Sequence, residues 1–95
     1  MEIKQDDEMS IIVLKVAATS APAKVATSIV KNIQEGKEVE TISIGAGALN
    51  QAIKAIAIAR GLAAPQGWDL TVRPGFLNLT IDGEIKTAMR LLILK

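Results

Sequence analysis

The feature that most constrains the fold is a repeated alternation of short β-branched runs with longer segments of helical periodicity. Ser10–Ala18 is a nearly continuous apolar run, which is typical of a strand covered on both faces. From Val25 to Ile33, apolar residues recur at spacings of mostly three and four, which predicts a helix with one apolar stripe. The alternation then repeats once, so the pattern favours a sheet with helical crossovers.

Turn and cap residues set the expected boundaries of these elements. The first helix is predicted to follow an N-cap at Ser20 and to run to about Glu35, with Gly36 at its C-terminal cap. Val39–Ile44 predicts the second strand. The second helix is expected from about Ala48 to Arg60, closed by Gly61.

The last third of the chain predicts two strands joined as a hairpin. Trp68–Arg73 begins a strand, Pro74-Gly75 interrupts it, and Phe76–Thr80 resumes it. Because proline cannot donate to a sheet ladder, this interruption indicates a bulge or an edge position. Glu84–Leu94 predicts the final strand.

Two turns can join these last strands. A two-residue turn at Asp82-Gly83 would pair Leu79 with Lys86 and so mix apolar and charged residues on one face. A three-residue loop, Ile81-Asp82-Gly83, would gather one set of side chains on a common face: Leu77, Leu79, Ile85, Thr87 and Met89. We therefore predict the three-residue loop.

The elements add up to one domain in the order β-α-β-α-β-β. Right-handed crossovers place both helices on one face of a mixed four-stranded sheet, which is a two-layer α/β sandwich with one open sheet face. The domain is expected to span residues 10–95, behind a flexible acidic arm at residues 1–9. A chain of 95 residues has no room for a second domain.

Composition narrows the possible functions. The chain contains no Cys, His or Tyr, so it cannot use thiol nucleophiles, imidazole acid–base chemistry or zinc sites built on Cys and His. No paired acid–base constellation stands out among the carboxylates. We expect no catalytic residues, no metal and no cofactor, and therefore a protein that is not an enzyme.

The charge distribution is compatible with a nucleic-acid partner. The whole chain has a net charge of +1, but residues 9–95 alone hold 10 basic and 6 acidic residues, a net charge of +4. The N-terminus is acidic, and the longest uncharged run, Thr41–Ile53, has 13 residues, fewer than a membrane span needs. We expect a cytoplasmic protein that does not contact a membrane.

A glycine pair lies between the second strand and the second helix. Free backbone N–H groups at such a place can hold a phosphate, so Gly45 and Gly47 are candidate binding residues. The dinucleotide fingerprint is incomplete, because Asn50 replaces its third glycine and Asp69 stands at the start of its strand. The alternative is that both glycines only permit a tight turn and close helix packing.

Several apolar residues lie outside the expected core faces. Leu49, Ile53 and Ile56 form one side of the second helix, yet Ile58 falls on its polar side. Leu92 and Leu94 point away from the core in the last strand. Self-association of the chain into a dimer or tetramer through Ile58, Leu92 and Leu94 explains this pattern. The alternatives are a single exposed isoleucine and a monomer whose arm covers the patch.

The segment from Ile44 to Gly61, which begins I-G-A-G-A-L-N-Q-A-I-K-A, closely resembles the stage V sporulation protein S family. Leu14–Ala17 is similar to the first strand of that family, and Ile81–Glu84 to its final hairpin. The resemblance covers about Val13 to Ile93. It implies a small cytoplasmic bacterial protein linked to spore development, with an Alba-like fold.

The resemblance also implies partners. Alba-type proteins are dimers that bind DNA or RNA through the turn after the first strand, the loop before the second helix and the extended hairpin. Ala18-Thr19 stand near the lysine pair of that group, and Ala46 stands where it often has arginine. The candidate nucleic-acid-binding residues are therefore Lys24, Gly45, Gly47, Asn50, Lys54, Arg73, Lys86 and Arg90. The alternative function is a protein-interaction module without nucleic-acid affinity, and a phosphate-ligand enzyme is a third.

Overall fold

The computed structural model describes residues 11–95 and the backbone of residues 2–4. The elements follow in this order: β1 (Glu2–Lys4), β2 (Ile11–Val16), α1 (Pro22–Gln34), β3 (Glu38–Ser43), α2 (Ala46–Ala63), a 3₁₀ turn (Ala64–Gln66), β4 (Thr71–Ile81) and β5 (Glu84–Leu94). The predicted β-α-β-α-β-β order is confirmed in β2–β5, and β1 adds a short strand before it. The rest of the predicted acidic arm, residues 1 and 5–9, lies outside the described residues.

The strands form one mixed sheet in the order β1-β2-β3-β5-β4. β2 and β3 are parallel, and the other neighbouring pairs are antiparallel. Both helices pack on one face of this sheet, over alternate strand residues: Ile12, Leu14, Val16, Val39, Leu91 and Ile93. We call this the helix-side face. The other face, which holds the side chains that alternate with these, is the open face, and the predicted two-layer α/β sandwich is confirmed.

The turn before α1 differs from the expected cap. The N-cap is Ala21, and no side chain caps this helix. The Ser20 hydroxyl instead accepts a hydrogen bond from the Ala17 N–H at 2.9 Å, so it closes the turn that follows β2. Ser20 as N-cap was therefore wrong, whereas Gly36 does follow the last turn of α1.

The buried side of α2 is a stripe of alanines. Ala48, Ala52, Ala55, Ala59 and Ala63 are buried, and Ile56 is the one large buried residue among them. Small side chains let α2 lie close to α1 and the sheet. Of the expected apolar side, Ile56 is buried and Leu49 packs against the core, so only Ile53 departs from the expectation. Ile53 is 45 % exposed, and Gly61 lies inside the helix rather than at its end.

The hairpin between β4 and β5 uses the two-residue turn, so the predicted three-residue loop was wrong. Asp82 and Gly83 have φ values of 51° and 79°, as a type I′ turn requires. Leu79 pairs with Lys86, and Leu77 pairs with Ala88. Ile85 is 74 % exposed on the other face. Because this part of the hairpin has no fully buried face, turn geometry sets its register and hydrophobic pattern does not.

β4 is a continuous edge strand. Its register with β5 runs without a break from Thr71 to Ile81, so Pro74 sits at an edge and not at a bulge. β3 ends at Ser43, which pairs with Met89. The five residue pairs beyond Met89 therefore carry the hairpin about 16 Å past the end of β3.

Candidate nucleic-acid interface

Three connecting segments meet at one end of the sheet. Since β2 and β3 are parallel, the turn at residues 17–21 and the loop at residues 44–45 leave the sheet at the same end. The β4–β5 hairpin projects from this end too, because it extends past the pairing of Ser43 with Met89. We call this end the carboxyl end. It gathers the three regions that the family resemblance implicates in binding.

Both glycines of the loop have a structural role. Gly45 is the N-cap of α2, with a φ of 90° that side chains rarely adopt. A Cβ on Gly47 would lie 3.3 Å from the Cβ of Ala18, so the loop and the turn approach closely here. The Gln51 side-chain amide donates to the carbonyl of Ser20 at 3.0 Å and links the same two segments.

The helix N-termini make the carboxyl end electropositive. α1 and α2 both begin there, so both helix dipoles direct their positive ends toward it. Neither helix, each of them wholly within the described residues, has an acidic residue in its first turn or a side-chain N-cap. Unpaired backbone N–H groups at such ends bind anions such as phosphate.

The predicted binding side chains fall on two sides of the molecule. Lys24 is exposed in the first turn of α1. Asn50 and Lys54 are exposed on α2, about 6 and 12 Å along the helix from Ala46. These three residues belong to the helical layer, with Lys24 at the start of α1 and with Asn50 and Lys54 about one and two turns into α2.

The other three predicted cations lie on the open face. Arg73, Lys86 and Arg90 alternate with strand residues of the helix-side face. Lys86 Nζ lies 3.6 Å from a carboxylate oxygen of Glu84, and Arg90 Nε lies 3.5 Å from one of Glu40. The sheet thus separates these cations from those of the helical layer.

One cation at the carboxyl end was missed by the sequence analysis. Lys15 is exposed on β2 and lines a cleft of about 370 Å³ between the turn after β2 and the start of α2. The remaining lining is mostly apolar, with Ile42, Ile44 and Ala48. The sequence did hold a signal for this cation, because Lys15 interrupts an apolar strand and stands next to the last residue of β2.

A second basic group lies along α1. Lys24, Lys31 and Lys37 line a groove of about 380 Å³. Lys37 Nζ is 2.9 Å from a carboxylate oxygen of Glu35, so part of this charge is neutralised. The seven-residue spacing of Lys24 and Lys31 places them on one helix face and could have predicted the group.

The residues predicted for self-association lie on two surfaces. Ile58 is 41 % exposed on α2, in the helical layer, whereas Leu92 and Leu94 are half-buried on the open face. Phe76 and Ile85 were not predicted, and both are about three-quarters exposed on the helix-side face of the hairpin. Ile85 does lie on the face that the sequence predicted for it, but the hairpin projects beyond the end of β3, so no helix covers this residue.

The described residues give no sign of a metal centre or a membrane span. Among them, no three Asp or Glu side chains come close enough together to hold a metal ion. None of the helices in the described part is both long and apolar enough to cross a bilayer.

The fold and the carboxyl end define a class of small α/β sandwiches with a projecting C-terminal hairpin and two helix N-termini beside it. The family model of stage V sporulation protein S (SpoVS) matches residues 12–95. The chain therefore belongs to this family of sporulation proteins, and the resemblance noted in its sequence is confirmed.

Proposed function

We propose that this sporulation-family protein is a non-enzymatic regulator in the cytoplasm that binds DNA or RNA through its carboxyl end. The observation that supports the proposal is the convergence there of two helix N-termini, the glycine loop and the projecting hairpin. Backbone N–H groups at residues 46–48 would donate hydrogen bonds to a phosphate oxygen, and side-chain cations would contact neighbouring phosphates.

The contacts would come from both layers. Lys24, Asn50 and Lys54 approach the carboxyl end from the helices, and Lys15, Lys86 and Arg90 approach it from the open face. A nucleic-acid backbone that runs across this end would meet both groups. Arg73 lies further from the hairpin turn and contributes least to this surface.

The available side chains favour binding that does not depend on base sequence. Trp68 lies at the end of the sheet opposite to the carboxyl end. It is half-buried, and Lys95 Nζ lies 5.0 Å from its ring centroid. Among the described residues, Phe76 is then the one exposed aromatic side chain, so bases have few stacking partners. Phosphate contacts alone give dissociation constants of roughly 10⁻⁴–10⁻⁶ M at physiological salt.

Self-association would strengthen such binding. A homodimer or homotetramer presents two or more carboxyl ends to one nucleic acid, and linked sites raise the overall affinity without any new contact. The exposed apolar residues on α2 and on the hairpin are consistent with an oligomer.

Fluorescence anisotropy with labelled duplex DNA, single-stranded DNA and RNA tests the proposal. The triple variant Lys24→Ala/Lys54→Ala/Lys86→Ala removes three cations from the carboxyl end, and we expect it to weaken binding at least tenfold. The matched control, Lys37→Ala/Arg60→Ala/Lys95→Ala, removes the same charge from the opposite end. We expect this control to stay within about threefold of wild type.

Two results would contradict the proposal. One is a folded wild-type protein that binds none of the three nucleic acids at low salt. The other is an equal loss of affinity in both triple variants, because net charge and not the carboxyl end would then explain binding.

A protein-interaction module without nucleic-acid affinity is the second candidate. It is favoured by the exposed apolar side chains of Ile58, Leu62, Phe76 and Ile85, which are unusual on a polar hairpin and a polar helix face. If wild-type protein binds no nucleic acid, substitution of Phe76 and Ile85 by Ser should abolish the binding of a developmental partner protein to this chain.

A further inference from the structure

β4 is an edge strand, and half of its backbone groups point away from β5. Ile81 and Glu84 flank the two-residue turn, so they exchange both of their backbone hydrogen bonds. Because such pairs alternate along an antiparallel ladder, Phe76, Asn78 and Thr80 direct their N–H and C=O groups outward. No strand in the described part of the chain pairs with this side of β4. The three residues therefore present a row of donors and acceptors to a further strand.

Pro74 sets one limit of this row. It belongs to the same outward set, and its ring nitrogen carries no hydrogen. A proline at this position removes no hydrogen bond between β4 and β5, but it cannot donate to an added strand. The part of β4 that can accept a strand is therefore residues 75–81, which we call the free edge.

The free edge lacks the charges that usually protect the edge of a sheet. Residues 74–81 include no charged side chain. The other edge of the projecting hairpin is the part of β5 beyond its pairing with β3, and it carries Glu84 and Lys86. Natural proteins use such charges on edge strands to prevent the addition of another strand. The free edge of β4 therefore fits an added strand, whereas the charged edge of β5 does not.

We infer that β4 of a second copy of this chain adds to the free edge, antiparallel, about a two-fold axis at Asn78. The two Asn78 residues then exchange both backbone hydrogen bonds, and Phe76 of each copy does the same with Thr80 of the other. The two sheets become one sheet that continues through both copies. The residues predicted for self-association lie elsewhere, on α2 and on the open face, so this contact is a separate surface.

The position of the axis follows from the outward groups. At Asn78, all three outward residues exchange both of their hydrogen bonds with the other copy. An axis at Leu77 would instead place Pro74 opposite Thr80, whose carbonyl would face a nitrogen without a hydrogen. An axis at Leu79 would place Phe76 opposite the turn residue Asp82 and lose its pairing.

The side chains of the free edge complement themselves in this register. On the open face, Leu77 of one copy lies opposite Leu79 of the other, and both are half-buried in the single chain. At each end of the contact, Arg73 of one copy comes beside Asp82 of the other. Both side chains are exposed, and neither forms a salt bridge with any residue that the structure describes. A second β4 thus supplies apolar side chains at the centre and the opposite charge at both ends.

The contact leaves the cations of the carboxyl end uncovered. An added strand lies beside β4 in the plane of the sheet, about 4.8 Å from it. It therefore covers neither face of β5, on which Lys86 and Arg90 are exposed. Such a dimer forms without nucleic acid and keeps the surface that the proposed function requires.

Sedimentation equilibrium of two variants at one position tests the contact. Asn78→Pro removes the outward N–H at the axis and keeps every backbone bond to β5, so we expect the dimer dissociation constant to rise at least tenfold. Asn78→Thr keeps this N–H, and we expect it to stay within about threefold of wild type. It is the matched control, because both variants lose the 3.1 Å hydrogen bond that the Thr87 hydroxyl donates to the Asn78 side chain. Circular dichroism checks that both variants are folded.

Cross-linking locates the contact without a proline. The chain has no cysteine, so Asn78→Cys gives one thiol per copy. The two Cα atoms at the axis lie about 5.5 Å apart, and a short bis-maleimide linker should join them. Thr27→Cys is the control, because Thr27 is exposed on α1, far from β4, and it should be joined at least tenfold more slowly.

Three outcomes would overturn the inference. Wild-type protein that stays monomeric up to millimolar concentration would mean that no second copy adds to the free edge. Equal dissociation constants for Asn78→Pro and Asn78→Thr would place the second copy on another surface, such as the open face. Cross-linking that is no faster at residue 78 than at residue 27 would rule out the axis. None of these measurements uses nucleic acid, so each outcome leaves the proposed function to its own test.

Discussion

Single residues account for how closely the two layers approach. Gly47 lets the loop before α2 touch the turn after β2, and alanines along α2 let the helix lie near its neighbours. Two polar side chains lie in the same interface. Thr41 and Ser43 of β3 are almost fully buried, and their hydroxyl oxygens have no hydrogen-bond partner in the part of the chain that the structure describes. These residues give two stability predictions.

The first concerns Gly61, which lies inside α2 although the sequence suggested a helix end. An added Cβ there would meet nothing within 4 Å, and its backbone is not at positive φ. Gly61→Ala should therefore raise the free energy of unfolding by about 0.5–1 kcal/mol, because alanine loses less backbone entropy in a helix. Urea denaturation measures this change in the free energy of unfolding. Gly47→Val is the contrasting variant, and it should destabilise because Ala18 occupies the space.

The second concerns the buried hydroxyl of Thr41. A buried hydroxyl without a partner loses its hydrogen bonds to water and gains none in return. Thr41→Val keeps the shape and the β-branched character, so it should stabilise the fold by about 1 kcal/mol. The same urea experiment reads the change. A loss of stability would mean that the hydroxyl does have a hydrogen-bond partner.

At the scale of elements, prediction succeeded where large apolar residues mark the buried face and failed where they do not. The strands β2 and β3 and the helix α1 carry clear apolar patterns, and they were placed to within a few residues. The β4–β5 hairpin leaves the helical layer, so its apolar residues do not identify a core face. Alanine contributes little to a hydrophobic-periodicity pattern. In α2 the larger exposed residues therefore dominated the pattern, and the buried alanine stripe was not recognised.

The turn that sets the hairpin register can be tested directly. Gly83 has a φ of 79°, where alanine is strained, whereas Gly75 in β4 is not at positive φ and has open space around it. Gly83→Ala should destabilise the hairpin by about 1 kcal/mol, which speeds amide exchange in its outer part about fivefold. Gly75→Ala should not speed exchange. If Gly83→Ala leaves exchange unchanged, the turn does not determine the register.

At the scale of the whole molecule, the parallel pairing of β2 and β3 determines where the candidate site lies. Any chain with this order brings both helix N-termini and the hairpin to one end, so the region could be predicted from the sequence. The faces of Lys86 and Arg90 follow from alternation along β5, but the face of Arg73 could not be predicted. Arg73 became an open-face residue only when the register of the last hairpin was known, and Lys15 was overlooked within an apolar strand.

The number of phosphate contacts at the carboxyl end can be read from salt dependence. If Lys15, Lys24, Lys54, Lys86 and Arg90 each neutralise one phosphate, a plot of log affinity against log salt for duplex DNA should have a slope of about −4.5 per bound chain. The variant Lys24→Ala/Lys54→Ala/Lys86→Ala removes three contacts and should reduce the slope to about −1.8. Anisotropy titrations at several salt concentrations give both values. A slope that the three substitutions leave unchanged would place the phosphates elsewhere, and the basic groove along α1 would then be the next surface to substitute, because Lys31 and Lys37 remain there.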